Sequence, residues 1–279
     1  MSTDGIAIDR ASYVRMFGPT VGDRIRLADS SLFVEVERDL TTPGYELLAG
    51  AGKNVRDGEG YRPTSTASDG ALDYVFIGAT VIDAVQGVIK ADIGIRGGLI
   101  AGIGKAGNPD VMPDVTEGMV VGHMTTPIPA AGLIVTAGAI ETHAHLISPQ
   151  QSEHALATGT TTLIGGSPGP AFEVGTGSAR NLGLFLQAGE HPPMNFVAFG
   201  RGASDERAVS ESVAAGAGAV KIHEDFGASP AVIDKTLRAA DSADFAVHLH
   251  TDSINEFGFA ETTMNTIGDR TIHMYHVEG

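Results

Sequence analysis

The sequence has no cysteine and no tryptophan among its 279 residues. Without cysteine it can form neither a disulfide framework nor a thiolate metal site, so any bound metal must be held by histidine, carboxylate or a modified side chain. Basic residues are also scarce, since 18 Lys and Arg residues stand against 34 Asp and Glu residues, a formal net charge of −16. This charge disfavours nucleic acid and anionic membranes as partners, because both require a basic face on the protein.

Long apolar runs are missing as well. No stretch reaches the length needed to cross a membrane, and residues 1–9 lack the basic and apolar segments of a signal peptide. These features predict a cytoplasmic protein without a membrane partner. Hydrophobic residues, by contrast, make up 42% of the chain, and 37 glycines are interleaved with Val and Ile. This composition favours a sizeable core with tight turns between many short elements.

Residues 1–138 have the pattern of a β-rich domain. A short helix is predicted at 11–17, and residues 56–69 have the composition of a loop. Runs of β-forming residues separated by glycine turns follow the pattern of a small sandwich or meander, and they lie at 32–36, 74–82, 93–95, 99–103 and 133–136.

Residues 139–279 alternate between apolar strand-like runs and helical stretches, which predicts βα units and a parallel sheet. The runs are apolar throughout, as expected for strands that are covered on both faces. The predicted strands are 139–145, 160–165, 195–200, 219–223, 245–250 and 271–275. The predicted helices are 153–157, 179–187, 206–215, 230–240 and 256–267.

Parallel βα repeats build either an open doubly wound sheet or a TIM-type barrel. An open sheet usually carries a Gly-rich phosphate turn after its first strand, whereas this chain has the sequence ETHAH at 141–145. The glycines at 165–169 lack the spacing of a phosphate loop. We therefore predict an α/β fold, an incomplete TIM-type (β/α) barrel preceded by a β-rich domain, because a full barrel has eight strands and the pattern shows fewer.

Two histidines, His143 and His145, stand at the end of the first predicted barrel strand. Because a strand repeats every two residues, both imidazoles point to the same side. The C-terminal ends of strands carry the chemistry in such barrels, and two neutral imidazoles at this spacing can chelate a divalent ion. The alternative is an incidental histidine pair in a loop, but the position favours a metal site.

Lys221 and His223 share one side of the fourth predicted strand, again at its end. A lysine directed into a barrel mouth is costly to leave unpaired, and burial near cations favours its neutral amine. A neutral amine can add carbon dioxide to form a carbamate, whose two oxygens could bridge a pair of metals. Alternatively, Lys221 extends to water or pairs with Glu224 or Asp225.

Further histidines stand at the next two strand ends. His248 and His250 end the fifth predicted strand, and His273 and His276 flank the end of the sixth. His273 and His276 are three positions apart and cannot share a strand face, so we expect one at the rim and the other in the site. In each pair one histidine could equally be a core or supporting residue, and His248 is our candidate for that role. Histidine and lysine at successive strand ends together predict a binuclear metal site, where metals lower the pKa of a bound water and polarise a carbonyl.

Along almost its whole length the sequence resembles the alpha subunits of ureases, within the amidohydrolase superfamily. The resemblance is carried by long phrases, which a general dihydroorotase or hydantoinase would not share. They are MFGPTVGDR at 16–24, KADIGI at 90–95, IGKAGNPD at 103–110, TAG at 136–138, PQQ at 149–151, KIHED at 221–225 and RTIH at 270–273.

The resemblance implies a site with two nickel ions and the hydrolysis of urea to ammonia and carbamate. His143 and His145 match ligands of one nickel, His250 and His276 match ligands of the other, and Lys221 matches the carbamylated lysine that bridges both. His223 matches the catalytic histidine that binds and orients the substrate oxygen. Nickel follows from the resemblance alone, since these donors would also suit zinc. Partners implied by the family are beta-type and gamma-type urease subunits, further copies of the chain, and nickel-insertion accessory proteins.

Three departures from the family pattern lead to further expectations. The family's aspartate ligand, flap histidine and arginine would all lie beyond Gly279, so we expect an incomplete site that does not hydrolyse urea as an isolated chain. The histidine pair is followed by LISP at 146–149, and the segment 165–175 is shorter than in the family. Two alternatives remain open: another binuclear hydrolase acting on cyclic amides, or a non-catalytic paralogue that acts as an assembly partner.

Overall fold

A computed structural model describes residues 7–47, 60–145, 150–166, 177–188 and 193–277. The chain divides into two compact units, Met1–Ala137 and Gly138–Gly279. The predicted division into two domains, residues 1–138 and residues 139–279, remains a prediction. The departures from the family pattern at 146–149 and at 167–175 lie outside the described residues.

The first unit is built on a mixed six-stranded sheet. Its main path runs β3-β5-β4-β7, with β6 paired to β5 and β8 paired to β4, while β1 and β2 form a separate antiparallel pair. The elements are α1 (Arg10–Phe17), β1 (Arg24–Arg26), β2 (Phe33–Glu35), β3 (Arg38–Asp39), β4 (Tyr74–Asp83), β5 (Gly87–Arg96), β6 (Leu99–Gly104), β7 (Thr126–Pro129) and β8 (Ile134–Thr136), with a 3₁₀ turn at Ala67–Asp69.

The hairpin of β4 and β5 forms the centre of this sheet. Its turn is closed by the carboxylate of Asp83, which accepts the main-chain N–H groups of Val85 and Gln86 at 2.9 and 2.8 Å, and Gly87 supplies the positive φ of 82° that such a turn requires. The predicted run 93–95 is thus part of a longer strand. Strand β7 was not predicted, because its two prolines have no N–H groups to donate to the hydrogen bonds of a sheet. The strand lies at the end of the sheet path, where proline is tolerated.

A buried ion pair lies on this sheet. The Nζ atom of Lys90 is 3.3 Å from Oδ2 of Asp39, and the two side chains are only 1% and 3% exposed. Lys90 also donates a hydrogen bond to the hydroxyl of Tyr13 at 2.9 Å. The pair therefore ties α1 and β3 to β5 by contacts that are shielded from water.

The second unit contains one parallel six-stranded sheet in the order β14-β13-β12-β11-β10-β9. This confirms the predicted α/β class, with a partial TIM-type barrel after a β-rich part. The elements are β9 (Ala139–Ala144), α2 (Gln150–Ala157), β10 (Thr160–Gly165), α3 (Ala179–Ala188), β11 (Asn195–Arg201), α4 (Glu206–Ala214), β12 (Ala219–Ile222), α5 (Pro230–Ala243), β13 (Ala246–Leu249), α6 (Ala260–Ile267) and β14 (His273–Met274), with 3₁₀ turns at Glu224–Phe226 and Thr251–Asn255.

Several of these strands end earlier than predicted, so that the chemically important residues follow them. His145, His223 and His250 each lie just beyond the last residue of a strand, and β14 is only two residues long. The prediction of a helix from residue 256 was wrong, because α6 begins at Ala260. The physical reason is Gly258, whose φ of 122° is outside the helical region.

Helix α5 anchors the strands that lead to the site. Ser229 caps it by accepting the N–H of Val232, and Pro230 occupies its first turn, where a missing N–H costs nothing. Its buried residues pack with the ends of β12 and β13 in a cluster formed by Ile222, Ala228, Ile233, Leu237, Ala240, Val247, Leu249 and Ile267. Among the helices of the described ranges, none is long and apolar enough to cross a bilayer.

Candidate metal centre

Three histidines from distant parts of the second unit form a cluster. The rings of His143, His250 and His276 can each direct one nitrogen into a group whose atoms all lie within 4.8 Å of one another. Their ring centroids are 5.8 Å apart for His143 and His250, 4.8 Å for His143 and His276, and 5.3 Å for His250 and His276. Three imidazoles at this spacing can surround a divalent ion.

The strand ends bring these rings together. His143 lies in β9 and His276 follows β14, the first and last strands of the sheet order, so their contact shows that the sheet curls as a barrel wall does. His276 has a φ of 57°, in the left-handed region that few residues other than glycine adopt. At the end of β10, Gly165 leaves room for β9, because a Cβ there would lie 1.9 Å from the carbonyl oxygen of Ala144.

Tyr275 supports the cluster from one side. Its ring stacks on that of His143, with centroids 4.2 Å apart and planes at 16°. Its hydroxyl donates a hydrogen bond to the carbonyl oxygen of Thr142 at 2.6 Å. Because that hydroxyl has one proton, His248 must donate its Nδ1–H to Tyr275 across the 2.5 Å contact between them.

Lys221 lies beside Tyr275 and is almost completely buried, with 1% of its surface exposed. Its Nζ atom is 5.0 Å from the centroid of the Tyr275 ring, within the range of a cation–π contact. The charge of Lys221 is also among the causes that lower the pKa values of His143 and His145. The structure thus places the predicted bridging lysine close to both predicted histidine ligands.

The environment of His143 keeps its imidazole neutral. Burial, followed by the charges of Lys221 and His276, lowers its pKa from 6.5 to about 4, and burial also lowers the pKa of His145. A neutral imidazole is the form that binds a metal. Among the described residues, the buried Nε2 atom of His143 has no hydrogen-bond partner. An unpartnered buried nitrogen is costly, and a metal ion would satisfy it, so the donor set fits a metal.

His145 directly follows β9 and lies beside His143. Its ring centroid is 5.5 Å from that of His143, but it is not a member of the three-histidine group among the described residues. The side chain of Gln151 donates a hydrogen bond to its carbonyl oxygen at 2.7 Å. The closest grouping therefore joins His143 to His250 and His276, whereas the resemblance divides these residues between two metals.

The second unit matches a known family over its full length. Residues 134–279 match the model of the Amidohydrolase family, and residues 6–128 match that of the urease alpha-subunit N-terminal domain. The chain belongs to the amidohydrolase family. The resemblance to urease alpha subunits is likewise confirmed, because "Urease subunit alpha" of Natronomonas pharaonis and of Haloarcula marismortui are each 48% identical to it over 273 residues.

The alignment with each of these relatives covers 98% of this amidohydrolase chain and 48% of the relative. The chain thus spans about half the length of the curated relatives that it matches. Among solved structures, an adenosine deaminase from Xanthomonas campestris with bound zinc gives a TM-score of 0.47 at 14% identity, covering 72% of this chain and 56% of that one. That likeness is too distant to carry an argument.

In this amidohydrolase, His223 stacks on His250, with ring centroids 4.3 Å apart and planes at 23°. The side chain of His223 is 8% exposed. Burial lowers its pKa, although Glu224 and Asp225 act in the opposite direction. Its Nδ1 atom accepts the main-chain N–H of Asp225 at 3.2 Å. In the neutral ring the proton therefore lies on Nε2, which makes that nitrogen a hydrogen-bond donor.

Glu224 is the site residue that the sequence analysis missed, since it considered this carboxylate only as a partner of Lys221. With His223 and His250 it forms a second group of potential metal-ligating atoms within 4.8 Å. Its Oε1 atom is 2.9 Å from Nδ1 of His250 and 3.4 Å from Nδ1 of His223. Its position in the sequence, immediately after a histidine at a strand end, could have identified Glu224 as a site residue.

The remaining pair of strand-end histidines lies apart from the cluster. The ring of His248 is 5.0 Å from that of His273 and 4.7 Å from that of Phe199. His273 is exposed. The ring centroids of His248 and His273 are 5.4 and 4.7 Å from that of Tyr275. Tyr275 therefore connects these two histidines to the three-histidine group.

Proposed function

We propose that the chain carries the metal-binding half of a urease-type catalytic subunit, which hydrolyses urea to ammonia and carbamate. One observation carries the proposal: His143, His250 and His276 converge at the strand ends of a segment that matches the amidohydrolase family. The 48% identity to proteins named as urease subunit alpha supports urea as the substrate.

The metal site is proposed to hold two nickel ions. In this arrangement His143 and His145 are ligands of one ion, His250 and His276 are ligands of the other, and Lys221, once carbamylated, bridges both. The burial of Lys221 and of His143 supports it, because burial disfavours the charged form of an amine, a neutral amine can accept carbon dioxide, and a neutral imidazole is the form that binds a metal. The ions would supply Lewis acidity and a lowered pKa of bound water. Zinc would fit the same donors, and nickel rests on the likeness to ureases.

His223 is proposed to bind and orient the substrate. Its Nε2–H is the donor left once Nδ1 accepts the N–H of Asp225, and a donor near developing negative charge on a carbonyl oxygen stabilises the transition state. Because burial lowers the pKa of His223, the ring stays neutral near neutral pH and retains this single donor. The hydrogen bond from Asp225 therefore determines the role of His223.

The assembly is proposed by the same likeness. Urease-type beta and gamma subunits, further copies of the chain and nickel-insertion accessory proteins are the partners that we infer. The cytoplasmic location and the absence of nucleic-acid and membrane partners remain predictions from the sequence.

The proposal is tested on the complete assembled protein that contains this chain, loaded with nickel. We expect it to release ammonia from urea, and we expect His223→Ala to lower kcat by about 10²–10³-fold, the loss typical of one donor to an oxyanion. Lys221→Ala should release metal as measured by elemental analysis, while His154→Ala, on the exposed face of α2, should change neither quantity. Hydrolysis of hydantoins but not urea would contradict the substrate, and absence of both activities in metal-loaded protein would contradict the function.

A further inference from the structure

Two histidines outside the three-histidine group lie side by side on neighbouring strands. His248 in β13 and His273 in β14 are partners in the parallel register of these strands. Side chains at the same level of adjacent strands point to the same face of a sheet, and the ring centroids of the two histidines are 5.0 Å apart. This pair has no part in the metal site proposed above.

Tyr275 and Phe199 hold the ring of His248 in place. The Tyr275 hydroxyl gives its single proton to the carbonyl oxygen of Thr142, so Nδ1 of His248 is the donor in the 2.5 Å contact with that hydroxyl. The neutral ring then carries its lone pair on Nε2, to which no hydrogen bond is found among the described residues. The buried ring of Phe199 lies against the same imidazole, with centroids 4.7 Å apart. His248 is thus a fixed arm that offers one nitrogen lone pair.

His273 supplies the second arm, and this arm can turn. Its side chain is exposed, and its ring meets that of Tyr275 edge to face, with centroids 4.7 Å apart and planes at 76°. In the part of the chain that the structure describes, neither of its ring nitrogens forms a hydrogen bond. His273 can therefore rotate to share an ion with the fixed ring of His248.

The spacing of the two rings suits one tetrahedral ion. A nitrogen about 2.0–2.1 Å from a metal places its ring centroid about 3.2 Å from that metal. Centroids 5.0 Å apart then subtend an angle of about 100° at the ion, close to the tetrahedral geometry of zinc. Water would complete the coordination, because the exposed side of His273 is open to solvent. Imidazole ligands suit zinc, copper and nickel alike.

We propose that His248 and His273 form a separate two-histidine site that binds one divalent transition-metal ion such as Zn²⁺. The site goes beyond the proposed function, because it uses none of the residues assigned there as metal ligands. Lys221 is the register neighbour of His248 on β12, and its amine opposes a nearby cation while it is charged. With two ligands instead of three, and with this opposing charge, the pair binds an ion more weakly than the three-histidine group does.

The test is a zinc titration of the complete protein that contains this chain and carries His143→Ala together with His276→Ala, which remove two nitrogens of the three-histidine group. We expect this background to keep a zinc ion that is lost on the further change His273→Ala, and equally on His248→Gln. The further change His154→Ala alters an exposed histidine of α2 and should leave this ion bound. Anomalous diffraction at the zinc edge supplies a second readout. Crystals of the unmodified protein soaked in Zn²⁺ should show a peak about 2.0–2.1 Å from Nε2 of His248.

Zinc binding that survives His273→Ala, that falls equally in His154→Ala, or that is already absent from the background would overturn the inference, as would the absence of an anomalous peak between the two rings. If the background does not fold, His273→Ala alone is compared with the unmodified protein, since it changes an exposed residue. The number of bound zinc ions should then fall by one, and an unchanged number overturns the inference.

The same titrations separate this inference from the proposed function. If His143→Ala binds as many ions as the unmodified protein while His273→Ala loses one, the metal centre of the proposed function fails and the two-histidine site stands. If His143→Ala loses an ion and His273→Ala does not, the two-histidine site fails alone.

Discussion

The hydroxyl of Tyr275 donates a hydrogen bond to the carbonyl oxygen of Thr142, 2.6 Å away. Thr142 lies in β9 and Tyr275 follows β14, which are the two ends of the parallel sheet. The same tyrosine stacks on His143 and precedes His276. One residue thus joins the outer strands of the sheet and supports the histidine cluster between them.

We expect Tyr275→Phe to lower the free energy of unfolding by about 1–3 kcal/mol, because the carbonyl of Thr142 and the Nδ1–H of His248 would lose their buried partner. The ring and its stacking on His143 would remain. Tyr74→Phe is the matched control, since Tyr74 is 48% exposed and its hydroxyl should contribute no more than about 0.5 kcal/mol. Guanidinium unfolding curves measure both values, and equal small losses in the two variants would show that the tyrosine link does not matter.

His248 should make stability depend on pH. Burial, then the charges of His273 and Lys221, lowers its pKa from 6.5 to about 4. The folded state therefore binds a proton less readily than the unfolded state. Its contribution is fully present above a pH of about 6.5 and is lost as the pH falls through about 4. At about 1.4 kcal/mol for each pKa unit, the contribution is at most about 3 kcal/mol.

The measurement compares the free energy of unfolding near pH 7 and near pH 4.5 in the unmodified protein, His248→Gln and His154→Gln. The loss of stability on acidification should be smaller in His248→Gln, which has no ring to protonate. It should be unchanged in His154→Gln, which alters an exposed residue of α2. Parallel pH curves for all three proteins would contradict the assignment to His248.

Asp39→Asn should destabilise the first unit by about 3–5 kcal/mol, because it leaves the ammonium of Lys90 buried without its charged partner. Asp110→Asn is the control, because it breaks the ion pair between Asp110 and Arg62. The side chains of Asp110 and Arg62 are 52% and 40% exposed, and such exposed pairs contribute at most about 1 kcal/mol to stability. Chemical denaturation followed by a probe in the first unit gives both values. Losses of stability of similar size in the two variants would mean that the burial of the Lys90–Asp39 pair does not increase its contribution to stability.

Much of the parallel sheet could be predicted from the sequence, because its strands are short apolar runs between glycines and helical segments. The strand at Thr160–Gly165 has the predicted limits. The ends beside the site were harder to place, since propensity does not show where ladder hydrogen bonds stop. His223 and His250 each follow the last residue of a strand and are the N-cap residues of the 3₁₀ turns that come next.

The grouping of the site could not be predicted, because it depends on the curl of the sheet. The two-residue period showed only that His273 and His276 cannot share a face, and they do lie apart, one beside His248 and the other beside His143. The left-handed backbone at His276 could not be predicted either, because histidine, unlike glycine, does not indicate such a conformation. The burial of Lys90 was equally hidden, since its partners Asp39 and Tyr13 come from distant segments.

Nickel titration of the single variants His143→Ala and His276→Ala tests the central claim, that these strand-end histidines form one metal centre. We expect each to weaken binding by more than the roughly 10–100-fold that the loss of a supporting residue costs, because each removes a nitrogen of the group within 4.8 Å. His154→Ala should bind nickel as the unmodified protein does. Normal binding in both cluster variants would contradict the account.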